Sequence, residues 1–479
     1  MSPPVILAIS LLPLLAVLAM AIIFRSTFDN LKLLAVVLPL QAFGAIEAGF
    51  TIPPYYIILV IIIFSLLIKG ELPSGGYPGC KPIIVFWMLA ILATVIAAWG
   101  PPPEAISFDQ TMSARAGPLR GPLQLALLVF HLSLFFVVVN AVKSESDADR
   151  ILKIHLRTGL LVIVLGLFQI VTFTFQLPLQ DYTWSLNLAD SATLNYGEVR
   201  LYGAGVTNFS TRATFGESLL LANYLISIVP VAIALWAFGS KDIRRRFGIV
   251  ASPLIAILGI TTLFFTMSRS GWIAFAISLI VLALWLSPRI IFIHLPVAFA
   301  IVAAVAALFA EVGFFSESAD TLWSIIVSRL NTYDMITDPR MRYFEVLWGS
   351  FTQHPILGLG AGNFALAAPA VTGSDMLHSA HGVLWAALAD FGILGFGALG
   401  IFFVFVLARL GRAIRAAKHS PRQAVMIGLF ASLVGLMFQD LFLGDRPTFH
   451  LVMLLGLSVV YSSVSRDRLK TGETFQRAF

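Results

Sequence analysis

The side chains able to do chemistry gather late in an otherwise apolar chain. Between residues 315 and 395 stand Arg329, Arg340, Arg342 and Glu345, then the run Gly358-Leu-Gly-Ala-Gly362, then His378-Ser-Ala-His381 and Asp390. A guanidinium is a planar fork that stays charged and grips phosphate through two parallel hydrogen bonds. A histidine titrates near neutrality and can act as a general base, or as a metal ligand within a suitable set. His378 and His381 lie one helical turn apart if a helix begins that early, and only Asp375 and Asp390 stand near enough in sequence to complete a metal set. A base, a metal pair and a pair of hydrogen-bonded interfacial histidines are all open to them.

Other candidates are scattered. Thr266-Met-Ser-Arg269-Ser-Gly-Trp272 places an arginine between two apolar runs with a turn too short to reach far into water. Such an arginine is costly without a partner and marks a functional site, unless it snorkels to lipid phosphate. Arg200 lies in Tyr-Gly-Glu-Val-Arg-Leu-Tyr-Gly and Arg212 in Thr-Arg-Ala-Thr-Phe-Gly216. Asp147-Ala-Asp149 is spaced like a metal-binding acid pair, but helix capping with dipole complementarity explains it more simply. The glycine run resembles a nucleotide fingerprint without the strand–helix unit that such a fingerprint needs, so a turn or a close backbone approach is the better reading.

The elements that must position these groups are membrane helices. The 479 residues are 58% hydrophobic and 12% charged, with a mean hydropathy of +0.91; soluble chains carry about 25% charged residues. Apolar runs fall at about 5–24, 32–50, 54–69, 83–99, 122–142, 154–176, 218–238, 247–267, 271–287, 290–310, 382–408, 423–441 and 448–464. The expectation is one all-α polytopic domain over 1–479, with about 12–14 transmembrane helices and 13 as the best count. Residues 5–24 have no basic leader and no small-residue cleavage site, so they read as a retained span. The single Cys80 excludes an internal disulfide.

Basic residues set the orientation. Loops around Arg25/Lys32, Lys69/Lys81, Lys143–Lys153, Lys241–Arg246 and Arg409–Arg422 alternate regularly and are placed inside, together with Arg289 and the tail. The N-terminus is then outside and the C-terminus inside. Left outside are Arg115, Arg120, Arg200, Arg212, Arg269, Arg329, Arg340, Arg342 and Arg446, and not one of the eight lysines. Outer arginines without outer lysines suggest an external anion, although each could instead pair with a carboxylate. Two long external loops follow, 177–217 and 311–381, both too aromatic for simple disorder and suited either to sugar rings or to an interfacial belt.

Taken in order, the motifs resemble a known family. Arg212-Ala-Thr-Phe-Gly precedes a span with Ala-Asn-Tyr-Leu; Thr-Met-Ser-Arg269-Ser-Gly-Trp follows; then Arg340 with His354-Pro-Ile-Leu-Gly-Leu-Gly-Ala-Gly-Asn-Phe364; then His381 with Asp390-Phe-Gly-Ile-Leu-Gly395. From Arg200 to Gly395 this resembles the O-antigen ligase and polymerase superfamily of bacterial envelope glycosyltransferases. The resemblance implies a GT-C-like helical fold in the bacterial inner membrane with its site facing the periplasm or exterior. It implies an undecaprenyl-diphosphate-linked glycan donor, a glycan or lipid A-core acceptor, surrounding membrane lipids, no nucleic acid, no cofactor, and inverting transfer without a metal. It further implies that arginines hold the donor diphosphate, with Arg212, Arg269, Arg340, Arg342 and Arg200 as candidates, and that a loop histidine activates the acceptor. His381 matches that histidine by register. The family commonly has Asn directly after it, where this chain has Gly382, so His378 stays beside His381 as a candidate base. A transporter or flippase of an anionic lipid-linked glycan is the competing class; it calls for inverted repeats or broken helices in pairs, and neither is evident in the sequence.

Overall fold

The computed structural model of the protein describes residues 25–41, 51–71, 80–99, 120–174, 210–285, 339–365, 381–418 and 422–470, with the short pieces 46–47, 199–200 and 207–208 and Ser420. Helices make up nearly all of it: α1 Thr27–Val37, α2 Pro54–Lys69, α3 Cys80–Trp99, α4 Arg120–Ala141, α5 Glu145–Thr174, α6 Ser218–Phe238 and α7 Lys241–Phe247. They continue with α8 Pro253–Phe265, α9 Arg269–Trp285, α10 Pro339–Gln353, α11 Val383–Ala416, α12 Gln423–Gln439 and α13 Phe449–Lys470. The described β structure is two short antiparallel pairs, β1 (Ile46–Glu47) with β2 (Thr51–Ile52) and β3 (Val199–Arg200) with β4 (Thr207–Asn208).

Six stretches are long and apolar enough to cross a membrane: α3, α4, α5 as far as Thr172, α6, the α7–α8 stretch Lys241–Phe265, and α11. Helices α2, α9, α12 and the apolar part of α13 are shorter. This is a polytopic all-α membrane protein, but the described residues do not reach the expected 13 spans. The spans expected at 5–24 and 290–310 lie outside the described residues. The span expected at 32–50 is a correction: α1 stops at Val37 just before Pro39, and β1 and β2 follow. Proline has no N–H to continue the ladder and disfavours the helical conformation of the residue before it.

Local sequence sets the helix ends. Pro54 occupies the first turn of α2, and Gly70 closes it in the left-handed conformation at φ 65°. Ser144 accepts from the Asp147 amide at 3.1 Å, and the Asp147 carboxylate accepts the Ser144 hydroxyl proton at 2.7 Å, with Glu145 also in the first turn of α5. Asp147 thus belongs to a helix start. Asp149 faces inward instead, accepting from Tyr461 at 2.7 Å and pairing with Arg246 at 2.5 Å. Ser240 caps α7, with Asp242 in its first turn and Arg244–Arg246 in its last, matching charge to the helix dipole.

The bundle is built around α6, which is buried along most of its length and packs against α8, α9, α12 and α13. Helix α3 turns Val85, Met88, Ile91, Leu92, Val95 and Ile96 outward, and α5 does the same with Leu161, Val164, Leu165 and Phe168. A surface that apolar is suited to lipid. The two ends differ in chemistry. At one end lie Lys143, Lys241 and Arg244–Arg246, the Arg422–Glu145 pair, and Arg409 donating to Ser462 and Ser463 at 2.8 and 2.9 Å. The other end holds the starts of α4, α6, α9, α11 and α13, with the arginines and histidines described next.

Candidate active site

Helix α11 is broken at Gly392, whose φ of 62° and ψ of −164° are not helical. The break frees backbone groups that have no water to turn to inside a membrane. The chain following α10 satisfies them. Ile393 and Leu394 donate to the carbonyls of Pro355 and Ile356 at 2.9 and 3.4 Å, and Leu359 and Gly360 donate to those of Ala389 and Asp390 at 3.0 and 2.8 Å. The two backbones touch. A Cβ on Gly392 would lie 2.4 Å from the Ile356 carbonyl, and one on Gly358 would lie 2.5 Å from the Phe391 nitrogen. The glycine run is therefore a close backbone approach.

Asp390 clamps the same run. Its buried carboxylate accepts from the amides of Gly362 at 2.8 Å and Phe364 at 3.2 Å. Thr94 accepts from the Ala361 amide at 3.3 Å, and Arg120 donates to the Gly362 carbonyl at 3.2 Å. With these amides engaged, the run presents no cradle for a nucleotide phosphate.

His381 stands just before α11. Its Nδ1 lies 3.2 Å from the Leu443 carbonyl, which can only accept. The Nδ1 therefore carries a proton, and in the neutral form of the ring the lone pair belongs to Nε2. The adjoining Gly382 has φ 124° and donates to the Gly444 carbonyl at 3.2 Å, and a Cβ there would lie 2.4 Å from the Leu441 carbonyl. Any side chain at this position would meet the Leu441 carbonyl.

The turn from Asp440 to Thr448 carries Arg446, one of the arginines placed outside from the sequence but not among the diphosphate-binding candidates. Arg446 donates to Gln124, lies 3.8 Å from Asp445 and faces the Tyr56 hydroxyl. Arg120 is within electrostatic reach of Asp390, Asp445 and Arg446. His131 places Nδ1 3.0 Å from the Pro447 carbonyl, so its Nε2 accepts the Tyr56 hydroxyl proton at 2.7 Å. The signal was present as Gly-Asp-Arg-Pro between two apolar runs. Asp440, just past the end of α12, accepts from Asn223 at 3.1 Å.

Arg212 and Arg269 lie at this same end. Gln169 accepts from the amides of Arg212 and Ala213 at 3.3 and 2.8 Å, Thr211 donates to the Phe265 carbonyl at 3.0 Å, and Arg212 reaches the Gly216 carbonyl at 3.3 Å. Arg269 opens α9 four residues beyond Phe265. Ala213, beside Arg212, and Met267, two residues before Arg269, have φ of 48° and 53°. Such conformations are strained for residues with a Cβ and tend to cluster at working sites. Trp272 stacks on Phe264 at 5.4 Å and braces the start of α9. Arg340 and Arg342 lie on the first turn of α10 and Arg200 on β3, with their side chains outside the described residues, as is the whole of His378. Among the described residues, no group of three His, Cys, Asp or Glu could hold a metal ion.

Residues 254–400 match the family model described as O-antigen ligase. The match runs from α8 to the middle of α11. It takes in Arg269, the glycine run, His381 and Asp390, and it supports the O-antigen ligase and polymerase superfamily named from the motifs. A comparison of the chain with curated proteins finds no match.

Proposed function

We propose that the protein transfers or polymerises glycan from an undecaprenyl-diphosphate-linked donor onto an acceptor hydroxyl at the external face of the bacterial inner membrane. The family match over residues 254–400 supports glycan transfer of the O-antigen ligase or polymerase type by a multi-pass membrane protein. The finer reading rests on one observation: a histidine inside the matched stretch, at the wet end of a membrane helix, with its tautomer set by the Leu443 carbonyl.

In this reading Nε2 of His381 takes the proton of the acceptor hydroxyl as its oxygen attacks the anomeric carbon of the donor sugar. The bond from that carbon to the diphosphate oxygen breaks, and the lipid diphosphate leaves with the bonding electron pair. Configuration inverts in the single displacement. Arg212 and Arg269, with Arg340, Arg342 and Arg200 from the segments 311–381 and 177–217, hold the diphosphate and stabilise its growing charge. Positioned general bases are typically worth about 10²–10⁴-fold in rate.

The test uses purified protein with a lipid-linked donor. His381→Ala abolishes transfer while donor binding stays near wild type. Retained transfer in that variant would remove His381 as the base and return the role to His378.

A further inference from the structure

Beside the His381 site, on the other face of the Asp440–Thr448 turn, a cavity of about 190 Å³ opens between α1, α2, α4 and the start of α6. At a liquid share of about 30 Å³ per water it has room for roughly six waters, the scale of one sugar ring. A smaller cavity of about 20 Å³ shares Asp445 and Arg446 with it and reaches Asp390.

The walls combine ring faces with hydroxyl-binding groups. Phe449 packs edge-on against Tyr56 at 5.5 Å and stacks on His131 at 4.2 Å, and Phe215 closes the side towards Arg212. The Tyr56 hydroxyl gives its proton to His131 and its oxygen takes a hydrogen bond from Arg446, so Tyr56 and Arg446 form one polar face of the cavity. The charges are matched. Among the residues that line it, Arg446 faces Asp445 at 3.8 Å, so one formal positive charge meets one negative. A diphosphate gains little from a balanced wall, whereas a neutral ring with several hydroxyls meets both donors and acceptors there.

We propose that this cavity is a subsite for a neutral, hydroxylated sugar ring of the glycan, held by Tyr56, Arg446 and Asp445 and distinct from the place where the diphosphate binds. The proposal rests on the glycan-transfer reading for its substrate, but its test needs no turnover. Full-length protein in lipid nanodiscs is examined by saturation-transfer NMR with glucose, galactose and N-acetylglucosamine as neutral probes and inorganic pyrophosphate as competitor. At least one sugar receives saturation in the wild type. The signal falls about fivefold in Tyr56→Phe, which removes one oxygen and its hydrogen bond. It falls as far in Leu220→Trp, which fills the cavity from a wall residue outside the hydrogen-bond network. It persists in the presence of pyrophosphate. The proposal is overturned if none of the three sugars binds, if the signal survives undiminished in either folded variant, or if pyrophosphate displaces the sugar. Should Leu220→Trp fail to fold, Tyr56→Phe decides alone. Transfer retained in His381→Ala would sink the proposed base and leave sugar binding untouched, so the two readings fail separately.

Discussion

A single carbonyl sets the tautomer of His381. The Leu443 carbonyl accepts from Nδ1, which makes Nε2 the atom that would take the acceptor proton in the proposed mechanism. The arginines depend on shape as much as on charge. Arg269→Lys, a point charge in place of a fork, is expected to lose most transfer activity while expression persists. Activity assays on membranes with matched protein levels check this, and full activity in Arg269→Ala would exclude Arg269 from the site. At this scale the sequence was informative about residue types and silent about partners. The outer arginines could be singled out because lysine is missing beside them. Nothing in Asp390-Phe-Gly-Ile-Leu-Gly said that the carboxylate would receive two amides from Gly362 and Phe364, since that contact depends on a chain reversal that no periodicity encodes.

Helix positions were legible because apolar runs must be long enough to span lipid, and 218–238 agrees with α6 at both ends. The run at 32–50 misled because hydropathy ignores the missing proline N–H at Pro39, where the helix has already ended. The break in α11 was hidden for a related reason, since glycine inside an apolar run reads as a small residue. Gly392→Ala tests its structural role. At φ 62° and ψ −164° the backbone is in a region almost exclusive to glycine, costing an L-residue of order ~1–3 kcal/mol, and the added methyl group meets the Ile356 backbone. The variant is expected to melt several degrees lower in detergent and to lose activity, while Gly397→Ala, with open space at its Cβ, stays near wild type. Equal melting temperatures for the two would contradict the tight approach.

For the whole molecule, the division into an end where lysines and arginines mix and an end with arginines and histidines is the basis for assigning sides. Reporter fusions at Ser240 and Ala368 are expected to give opposite sidedness, and matching signals would overturn the orientation and the external site with it. The short turn that follows Asp440 ties distant helices together. Its backbone carbonyls reach Val383 and Gly382 at the head of α11, the ring of His381 beside them, and the ring of His131 on α4. It works as a yoke. A tilt of α13 that shifts this turn pulls on both imidazoles at once, and one inserted residue between Leu443 and Pro447 would move their anchors apart by up to ~3.5 Å. The protein can change the length of this connection only by resetting two histidines together.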